Sequence, residues 1–508
     1  MKRTRRKSQR GKEIFPEEIF IDSSNLPNFD QNQFEGRIEK PIPKASLIFL
    51  ASIFLLLGVV YTARAWALQG EQGADFLAKS ENNRLHHTTI FAERGAISDR
   101  NGQLLAWNVP NTESADFAER RYNPSAAFSH LVGYVKYPSK DSKGFYYTED
   151  YEGKDGLEGF FNDSLSGSNG LKISETDALG KVQSENIITP PQPGTSLTLS
   201  IDADIQQKLY EVIQQIAIDA NYQGGTAGLL DIKTGEVLAM ASYPGYNPNI
   251  LTDGRDTKTI NTLFARNDTP FLDRFVNGLY TPGSTVKPFL ALGVLDQKII
   301  DPKKQIESTG SISLPNIFDS SVQTVFADWR ANGWTDMERA IAVSSDVYFY
   351  EVIGGYKDQP GLGITNLEKY MRMFGFGDVL SAGYLSGKKG VIPNPDWKKE
   401  NFEGEDWRIG DTYHTAIGQY GVQVTPIQML SGIATIANEG TIPNLTILRD
   451  GNQGNNVFNK VPLPASYFKI VKSGMRKTVT EGTATSMSST GLQIAGKTGS
   501  AGLGTVRK

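Results

Sequence analysis

Three short strings follow one another in a fixed order in the second half of this 508-residue chain, and they constrain its fold more than any other feature. They are Ser-Thr-Val-Lys at 284–287, Ser-Ser-Asp at 344–346 and Lys-Thr-Gly at 497–499. If the strings form one site, the fold must bring three distant parts of the chain together.

Each string alone is weak evidence because the chain repeats two of them. Ser-x-x-Lys recurs at 386–389 and 466–469, and a second Lys-Thr-Gly at 233–235 lies between two apolar runs, where it predicts a hairpin turn. Only Ser284 follows a Pro-Gly turn and begins an apolar stretch that can continue as a buried helix. The prediction therefore rests on the order of the three strings and on the residues that surround them.

The residue types suit nucleophilic chemistry at a serine. Residues three apart on a helix share a face, so Lys287 can serve as the base that the Ser284 hydroxyl needs. That lysine must be neutral, and both burial and a second cation such as Lys497 would lower its pKa. Free N–H groups at a helix start would favour an oxyanion at Ser284. Pro288 cannot donate to the Ser284 carbonyl, so the helix should begin near the serine or be distorted.

The strings resemble the active-site motifs of the class B penicillin-binding proteins, which are Ser-x-x-Lys, Ser-x-Asn and Lys-Thr-Gly in this order. The resemblance extends over most of the chain, including LDRFVNGLYTPGSTVKP, GTAGLLDIKTGEVLAMASYPGYNPN and ERAIAVSSDVYFYEV. The run WKKENFEGEDWRIGDTYHTAIGQYGVQVTPIQM is more similar to the elongation branch, penicillin-binding protein two, than to the septal branch.

The resemblance implies a peptidoglycan D,D-transpeptidase that cross-links stem peptides and is acylated by β-lactam antibiotics. Ser284 would attack the carbonyl between the terminal D-alanines, Lys287 would act as general base, and Ser344 would relay a proton to the leaving D-alanine. The amine of a second stem peptide would then attack the acyl-enzyme. The resemblance implies no cofactor.

The third string would bind the substrate. By the same resemblance, Lys497 and Thr498 would hold the substrate carboxylate, and Gly499 belongs to the same strand segment. The backbone N–H groups of Ser284 and Ser500 would form the oxyanion hole.

The chain departs from the family pattern at Asp346, where the general pattern has Asn. A carboxylate accepts hydrogen bonds but donates none. We therefore expect Asp346 to pair with Lys287 or Lys497 and to raise the pKa of its partner.

Strands alternate with long helical stretches, and the resemblance implies an α+β fold in which an antiparallel five-stranded sheet packs against a helical cluster, as in serine β-lactamases. The family continues well beyond Lys-Thr-Gly, whereas this chain ends at Lys508. We therefore expect a C-terminally incomplete transpeptidase region with an open sheet edge.

An apolar run at residues 45–63 predicts one membrane helix, because about 19 residues at 1.5 Å each span a bilayer core of about 30 Å. The many Lys and Arg residues before it predict that residues 1–44 form a disordered cytoplasmic tail and that the rest lies outside the plasma membrane. A cleaved signal peptide is the alternative, although the run is longer than such peptides usually have.

The segment Pro190–Gly194 predicts a linker that divides the outer part into an N-terminal region (residues 64–192) and a C-terminal transpeptidase region (residues 193–508). The N-terminal region resembles the family's pedestal, or dimerisation-type domain. Residues 94–102 predict a strand and a pinned turn, although a docking surface for a membrane glycan polymerase is the alternative. The first helix of the C-terminal region carries an apolar stripe that predicts a core-facing side, namely Ile205, Leu209, Val212, Ile213 and Ile216.

Composition excludes several function classes. The chain has no cysteine, so it holds no thiol nucleophile and no Cys zinc site, and its four histidines lack metal-site spacing. A net charge of −4 gives no field that attracts nucleic acid.

Three other functions share these motifs. A membrane-anchored β-lactamase needs a water-activating base, and none stands out beside the strings. A D,D-carboxypeptidase would perform the same acylation and pass the acyl group to water. An inactive scaffold that recruits wall-synthesis partners is the alternative from another class.

Overall fold

The computed structural model describes residues 43–74, 85–112, 116–142, 146–176, 182–316, 319, 321–449 and 459–502. Its helices are α1 (Lys44–Trp66), α2 (Ser129–Val132), α3 (Gly156–Phe160), α4 (Asn162–Ser166), α5 (Ala203–Asp219), α6 (Pro248–Asp253), α7 (Thr257–Phe264), α8 (Lys287–Asp296), α9 (Met337–Val343), α10 (Asp346–Gly354), α11 (Ile364–Met373), α12 (Pro395–Asn401), α13 (Ile409–Ala416), α14 (Pro426–Ala437) and α15 (Ala465–Thr480). Short 3₁₀ helices occur at Ala126–Phe128, Gly283–Val286, Gly383–Leu385 and Thr485–Thr490, and a π-helical turn follows α1 at Ala67–Glu71.

The strands are short. They are β1 (Leu85–Ile90), β2 (Ile97–Ser98), β3 (Leu104–Val109), β4 (Glu119–Tyr122), β5 (Val135–Lys136), β6 (Ser139–Lys140), β7 (Tyr146–Thr148), β8 (Glu152–Gly153), β9 (Gly170–Thr176), β10 (Val182–Thr189), β11 (Leu197–Thr198), β12 (Gly225–Leu230), β13 (Val237–Tyr243), β14 (Ile306–Ser308), β15 (Ser311–Pro315), β16 (Gln323–Ala327) and β17 (Gly333–Thr335). Two sheets have the orders β1-β9-β10 and β11-β2-β3-β4, and the other strands pair two by two.

The chain divides into two compact units, residues 1–85 and 86–508. The first unit contains α1, whose side chains are all exposed. The helix that begins at Lys44 is long and apolar enough to cross a membrane. Residues 1–42, which contain the predicted basic tail, lie outside the described residues.

A tight turn joins β2 to β3 in the N-terminal region. Asp99 Oδ1 accepts hydrogen bonds from the backbone N–H groups of Asn101 and Gln103, both at 2.8 Å. Gly102 follows with φ +87°, a conformation that glycine adopts without the strain of a side chain. The carboxylate thus pins the turn, in line with the structural interpretation of residues 94–102.

The segment predicted as a linker is packed into the N-terminal sheet. The N–H of Gly194 donates to Glu93 O at 2.8 Å, and that of Leu197 donates to Ala96 O at 2.8 Å. As a result β11 pairs in parallel with β2. The N-terminal and C-terminal regions therefore share one sheet.

Helix α5 turns a different face to the core from the one predicted. Its buried residues are Ala203, Gln206, Tyr210 and Ala217, whereas Ile205, Val212 and Ile216 are exposed. Gln206 explains the difference, because its side-chain amide accepts from Met240 N at 2.7 Å and donates to Met240 O at 2.9 Å. The predicted stripe is confirmed in part, because Leu209 and Ile213 pack against the buried core, and the polar side chain of Gln206 fastens the helix to β13.

Strands β12 and β13 form an antiparallel hairpin. The second Lys-Thr-Gly, at 233–235, lies in the turn between them, where Gly235 has φ +78°, so the hairpin prediction is confirmed. The resemblance implied five strands, but within the described residues this sheet contains two, and Lys497–Gly499 has no strand assigned.

The predicted packing of the sheet against a helical cluster is confirmed. Helix α8 lies at the centre of the cluster, and its residues from Lys287 to Leu295 are all buried. Phe289 of this helix contacts Phe374 and Phe376 with ring centroids 5.1 Å and 4.9 Å apart. An almost wholly apolar helix fits this position because no face of it meets water.

Candidate active site

The predicted nucleophile lies on a 3₁₀ turn that leads into a buried helix. Ser284 belongs to the turn Gly283–Val286, and the N–H of Lys287 donates to the Ser284 carbonyl. Helix α8 then begins at Lys287, and Pro288 occupies its first turn, where no N–H is needed. This geometry confirms the expectation that Pro288 makes the helix begin near the serine, and it leaves Ser284 half-buried.

The turn is packed tightly between two other backbone segments. The N–H of Gly283 donates to Gly418 O at 3.1 Å. A Cβ atom at Gly283 would lie 2.4 Å from the carbonyl oxygen of Ser500. Glycine at 283 therefore allows the third string to pass directly beside the turn that carries Ser284.

Lys287 is buried with its ammonium group fully surrounded by the protein. Its side chain has no exposed surface, and Nζ donates to Asp346 Oδ1 at 2.5 Å and to Ser344 O at 2.9 Å. Nζ also lies 3.4 Å from Ser344 Oγ and 5.4 Å from the centre of the Phe349 ring. The lysine is thus one helical turn from Ser284 and in contact with the second string.

The second string is a left-handed turn between α9 and α10. Ser344 caps α9 with φ +59°, an uncommon conformation for a residue with a side chain, and Ser345 begins α10 by accepting from Tyr348 N. The turn directs Ser344 Oγ toward both lysines, because Lys497 Nζ donates to it at 2.8 Å. One buried hydroxyl therefore joins two ammonium groups.

The third string runs alongside the nucleophile turn. A Cβ atom at Gly499 would lie 2.7 Å from Thr285 Cγ2 and 2.8 Å from Pro282 O. Thr498 Oγ1 lies 2.6 Å from Thr483 Oγ1. The fold thus brings all three strings into one cluster.

The surroundings of the cluster lower the pKa of both lysines. Burial lowers the pKa of Lys287 and outweighs Asp346, whose carboxylate raises it. Burial, with the positive charge of Lys287 adding to it, lowers the pKa of Lys497 to about 7. Burial raises the pKa of Asp346 although both lysines favour its ionised form. Asp346 pairs with Lys287 and raises its pKa as expected, and burial, which was expected to lower that pKa, is the larger effect.

Sequence reasoning missed one carboxylate of this cluster. Asp328 is buried, and its Oδ2 accepts from Ser345 Oγ at 2.8 Å and from Val347 N at 3.1 Å. It precedes Trp329, whose Nε1 donates to Val343 O at 3.1 Å. No motif distinguishes this aspartate in the sequence, because its partners belong to other segments.

Within the part of the chain that the structure describes, no group of His, Asp and Glu side chains is arranged to hold a metal ion. His130 is buried with Nε2 2.8 Å from Pro270 O. The chemistry available at the cluster is therefore that of hydroxyls, lysines and a carboxylate.

Comparison with known protein families shows which family this chain belongs to. Residues 225–508 match the model of the penicillin-binding protein transpeptidase domain, which is more than half of the chain. The chain belongs to this family. Residues 114–199 match the penicillin-binding protein dimerisation domain, as the pedestal resemblance implied. The identification as a class B penicillin-binding protein is thereby confirmed.

Several curated relatives are named peptidoglycan D,D-transpeptidase MrdA. The peptidoglycan D,D-transpeptidase MrdA of Acinetobacter baumannii is 28% identical over 91% of this chain and 79% of the relative. The alignment with the Escherichia coli protein of that name covers 78% of this chain but 63% of the relative. The chain thus matches most of one relative and somewhat less than two thirds of the other.

Solved structures agree with this assignment. Pseudomonas aeruginosa PBP2 in complex with WCK 5153 has a TM-score of 0.65 and 30% identity over 82% of this chain and 86% of that one. A component of a peptidoglycan synthase complex that coordinates polymerization and crosslinking has a TM-score of 0.68 and 25% identity over 90% of this chain and 88% of that one. The predicted penicillin-binding transpeptidase fold is confirmed.

Proposed function

We propose that this protein is a serine-type peptidoglycan D,D-transpeptidase that cross-links stem peptides during cell elongation, with Ser284 as its nucleophile. One observation carries the proposal most directly. The Ser344 hydroxyl accepts hydrogen bonds from Lys497 at 2.8 Å and from Lys287 at 3.4 Å, and Lys287 lies one turn from Ser284. A nucleophile, a base and a proton relay thus lie within one cluster.

Acylation begins when Ser284 Oγ attacks the carbonyl carbon between the two terminal D-alanines. Its proton passes to the neutral Lys287 amine, a state that burial favours by lowering the pKa of that lysine. As the C–N bond breaks, the Ser344 hydroxyl gives a proton to the leaving D-alanine amine and takes one from Lys287 Nζ. The enzyme is left as an ester of Ser284.

Substrate binding falls to the third string. Lys497 in its charged form and the Thr498 hydroxyl hold the carboxylate of the terminal D-alanine. The N–H groups of Ser284 and Ser500 stabilise the tetrahedral oxyanion, and the contact between Gly283 and Ser500 supports this arrangement. The amine of a second stem peptide then attacks the ester, forms the cross-link and restores the Ser284 hydroxyl.

The protein acts at the outer surface of the plasma membrane, anchored by α1. The basic residues before α1 support a cytoplasmic N-terminus. The structural likeness to a component of a synthase that couples polymerization to crosslinking supports a membrane glycan polymerase as its partner.

Labelling with a fluorescent penicillin tests the proposal. The full-length protein in detergent should retain covalent label, and Ser284→Ala should lose it completely because the attacking oxygen is gone. Ser466→Ala is the matched control, since Ser466 begins another Ser-x-x-Lys string on the exposed surface of α15. It should label like the parent.

The competing functions give different results in this labelling assay and in an assay with a stem peptide. Rapid release of hydrolysed penicillin would favour a β-lactamase, and slow release from a lasting adduct supports the transpeptidase. A D,D-carboxypeptidase would release D-alanine from a stem peptide without incorporating an added amine acceptor. Label that persists in Ser284→Ala contradicts the assignment of Ser284 as the nucleophile. Absence of label from the parent contradicts the proposed activity and favours an inactive scaffold.

A further inference from the structure

A buried carboxylate outside the three strings lies beneath the turn that carries Ser344. Asp328 follows β16, and four groups donate to its Oδ2: Ser345 Oγ at 2.8 Å, Ser308 Oγ at 3.0 Å, Val347 N at 3.1 Å and Asn332 Nδ2 at 3.2 Å. Its other oxygen, Oδ1, accepts from Trp329 N at 2.8 Å. So many donors on one carboxylate fix its position.

We propose that Asp328 is a positioning residue for acylation, which holds the Ser344 turn in its left-handed conformation and supplies a fixed negative charge near Lys287. The inference rests on the proposed function of Ser284 as nucleophile. Asp328 itself touches none of the reacting groups. It acts through its hydrogen bonds to Ser345 and Val347 and through the electrostatic effect of its negative charge on Lys287.

The mechanical part of the inference follows from the backbone of the second string. A residue other than glycine in the left-handed region is strained, and it persists where its surroundings determine it. Ser344 is in that region, and two of the groups that donate to Asp328, Ser345 Oγ and Val347 N, lie just after it. Asp328 thereby fixes the start of α10, and with it the two Ser344 oxygens and the Asp346 carboxylate that bind Lys287.

The electrostatic part concerns the groups that face Lys287. These are Asp346 on α10, Asp328 after β16 and Lys497 of the third string. Burial lowers the pKa of Lys287, and both carboxylates raise it. Asp328 also raises the pKa of Asp346. Removing the charge of Asp328 would therefore let Lys287 lose its proton at a lower pH.

Two substitutions separate the charge from the geometry. Asp328→Asn keeps the shape but loses the charge, so the ascending limb of the acylation rate against pH should move to lower pH by about half a unit, and the rate at its plateau should fall about tenfold. Asp328→Glu keeps the charge but displaces the oxygens. It should lose a comparable factor in rate while its ascending limb stays at the parental pH.

The measurement is the second-order rate constant for acylation by fluorescent penicillin between pH 5 and 9, on the full-length protein. Asp99→Asn is the matched control, because Asp99 is also a buried carboxylate that accepts from backbone N–H groups, namely those of Asn101, Gln103 and Ala203. It should leave the rate and the pH limb unchanged. A purely structural effect of losing a buried carboxylate would appear equally in both proteins.

Two results overturn the inference. One is a parental rate and pH limb in Asp328→Asn, and the other is an equal pH shift in the Asn and Glu variants. If Asp328→Asn does not fold, Ser345→Ala removes one of the links while keeping the charge, and it should slow acylation several-fold at an unchanged pH limb. A parental rate in Ser345→Ala would then reject the positioning role. Failure of the proposed function is distinguishable, since the parent itself would then acquire no label at Ser284.

Discussion

Charged side chains are buried together in the N-terminal region and at the candidate active site, and these two clusters differ in the kind of cation. In the N-terminal region Glu158 lies between two arginines, with Arg94 Nε 2.6 Å and Arg120 Nε 2.7 Å from its oxygens and all three side chains fully buried. At the active site Asp346 pairs with a lysine, and a second lysine lies nearby.

The arginine cluster is built to stay charged. Arg94 also donates to Ser166 Oγ at 2.6 Å and to Asn162 Oδ1 at 3.1 Å, and Arg120 donates to Asn108 Oδ1 at 3.0 Å. A guanidinium keeps its proton in proteins, so these bonds are permanent. The cluster joins β3, β4, α3 and α4 into one body.

The two lysines of the active-site cluster lose their protons more readily than exposed lysines do. Burial lowers the pKa of both Lys287 and Lys497, the latter to about 7, and Ser344 connects them. Under the proposed function, the arginine cluster is a fixed support and the lysine cluster transfers protons. The choice between arginine and lysine therefore decides whether a buried cation stays charged or can give up its proton.

Replacing the active-site lysine with the cation of the other cluster should have the largest effect. In Lys287→Arg the base cannot be neutral at ordinary pH, so the rate of penicillin acylation should fall by about a hundred- to ten-thousandfold, as measured by the growth of fluorescent label. Lys389→Arg, at the end of the Ser386 string, is the control and should label normally. Activity close to parental in Lys287→Arg would show that proton exchange at this lysine is not needed.

Breaking the arginine cluster should lower the free energy of unfolding and leave the acylation rate unchanged. Glu158→Gln leaves two buried guanidinium groups without their counter-charge, and the free energy of unfolding should fall by about 3–5 kcal/mol. Urea denaturation measures this loss, and the protein that remains folded should acylate at the parental rate. A stable Glu158→Gln variant with impaired acylation would reverse the roles that we assign to the two clusters.

The pH dependence of substrate binding should distinguish Lys497 from a permanent cation. With a pKa of about 7, Lys497 loses its positive charge as the pH rises through that value, so binding of the penicillin carboxylate before acylation should weaken. Lys497→Arg stays charged, and its binding constant should not vary over the same range. Stopped-flow separation of binding from acylation measures both, and equal slopes in the two proteins would contradict this role of Lys497.

The smallest effect is expected at an exposed cluster. Lys303 pairs with Glu338 at 3.0 Å, but its side chain is 68% exposed, and Glu338 also has Lys477 at 2.8 Å. Lys303→Ala should therefore lower the free energy of unfolding by less than about 1 kcal/mol. A loss as large as that of Glu158→Gln would mean that burial is not what separates these clusters.

The sequence predicts the site better than the framework around it. Ser284, Lys287, Ser344 and Lys497 were all named from short strings whose chemistry is local. Asp328 was not, because its function arises from donors that other segments supply. The Arg94–Glu158 pair was missed for the same reason.

Packing details were also beyond reach of the sequence pattern. The apolar stripe of α5 predicted the buried face only in part, because Gln206 binds both backbone groups of Met240 and amphipathic periodicity contains no information on such a bond. The pairing of Asp346 was foreseen, but the net direction of the Lys287 pKa depends on how completely the fold removes water. Desolvation is a property of the three-dimensional structure.

Mass spectrometry of the penicillin-treated protein tests the central claim most directly. We expect the intact mass to increase by one penicillin, and a proteolytic digest to place the adduct on the peptide that contains Ser284. An adduct on any other residue, or an unchanged mass in a folded protein, would contradict the account.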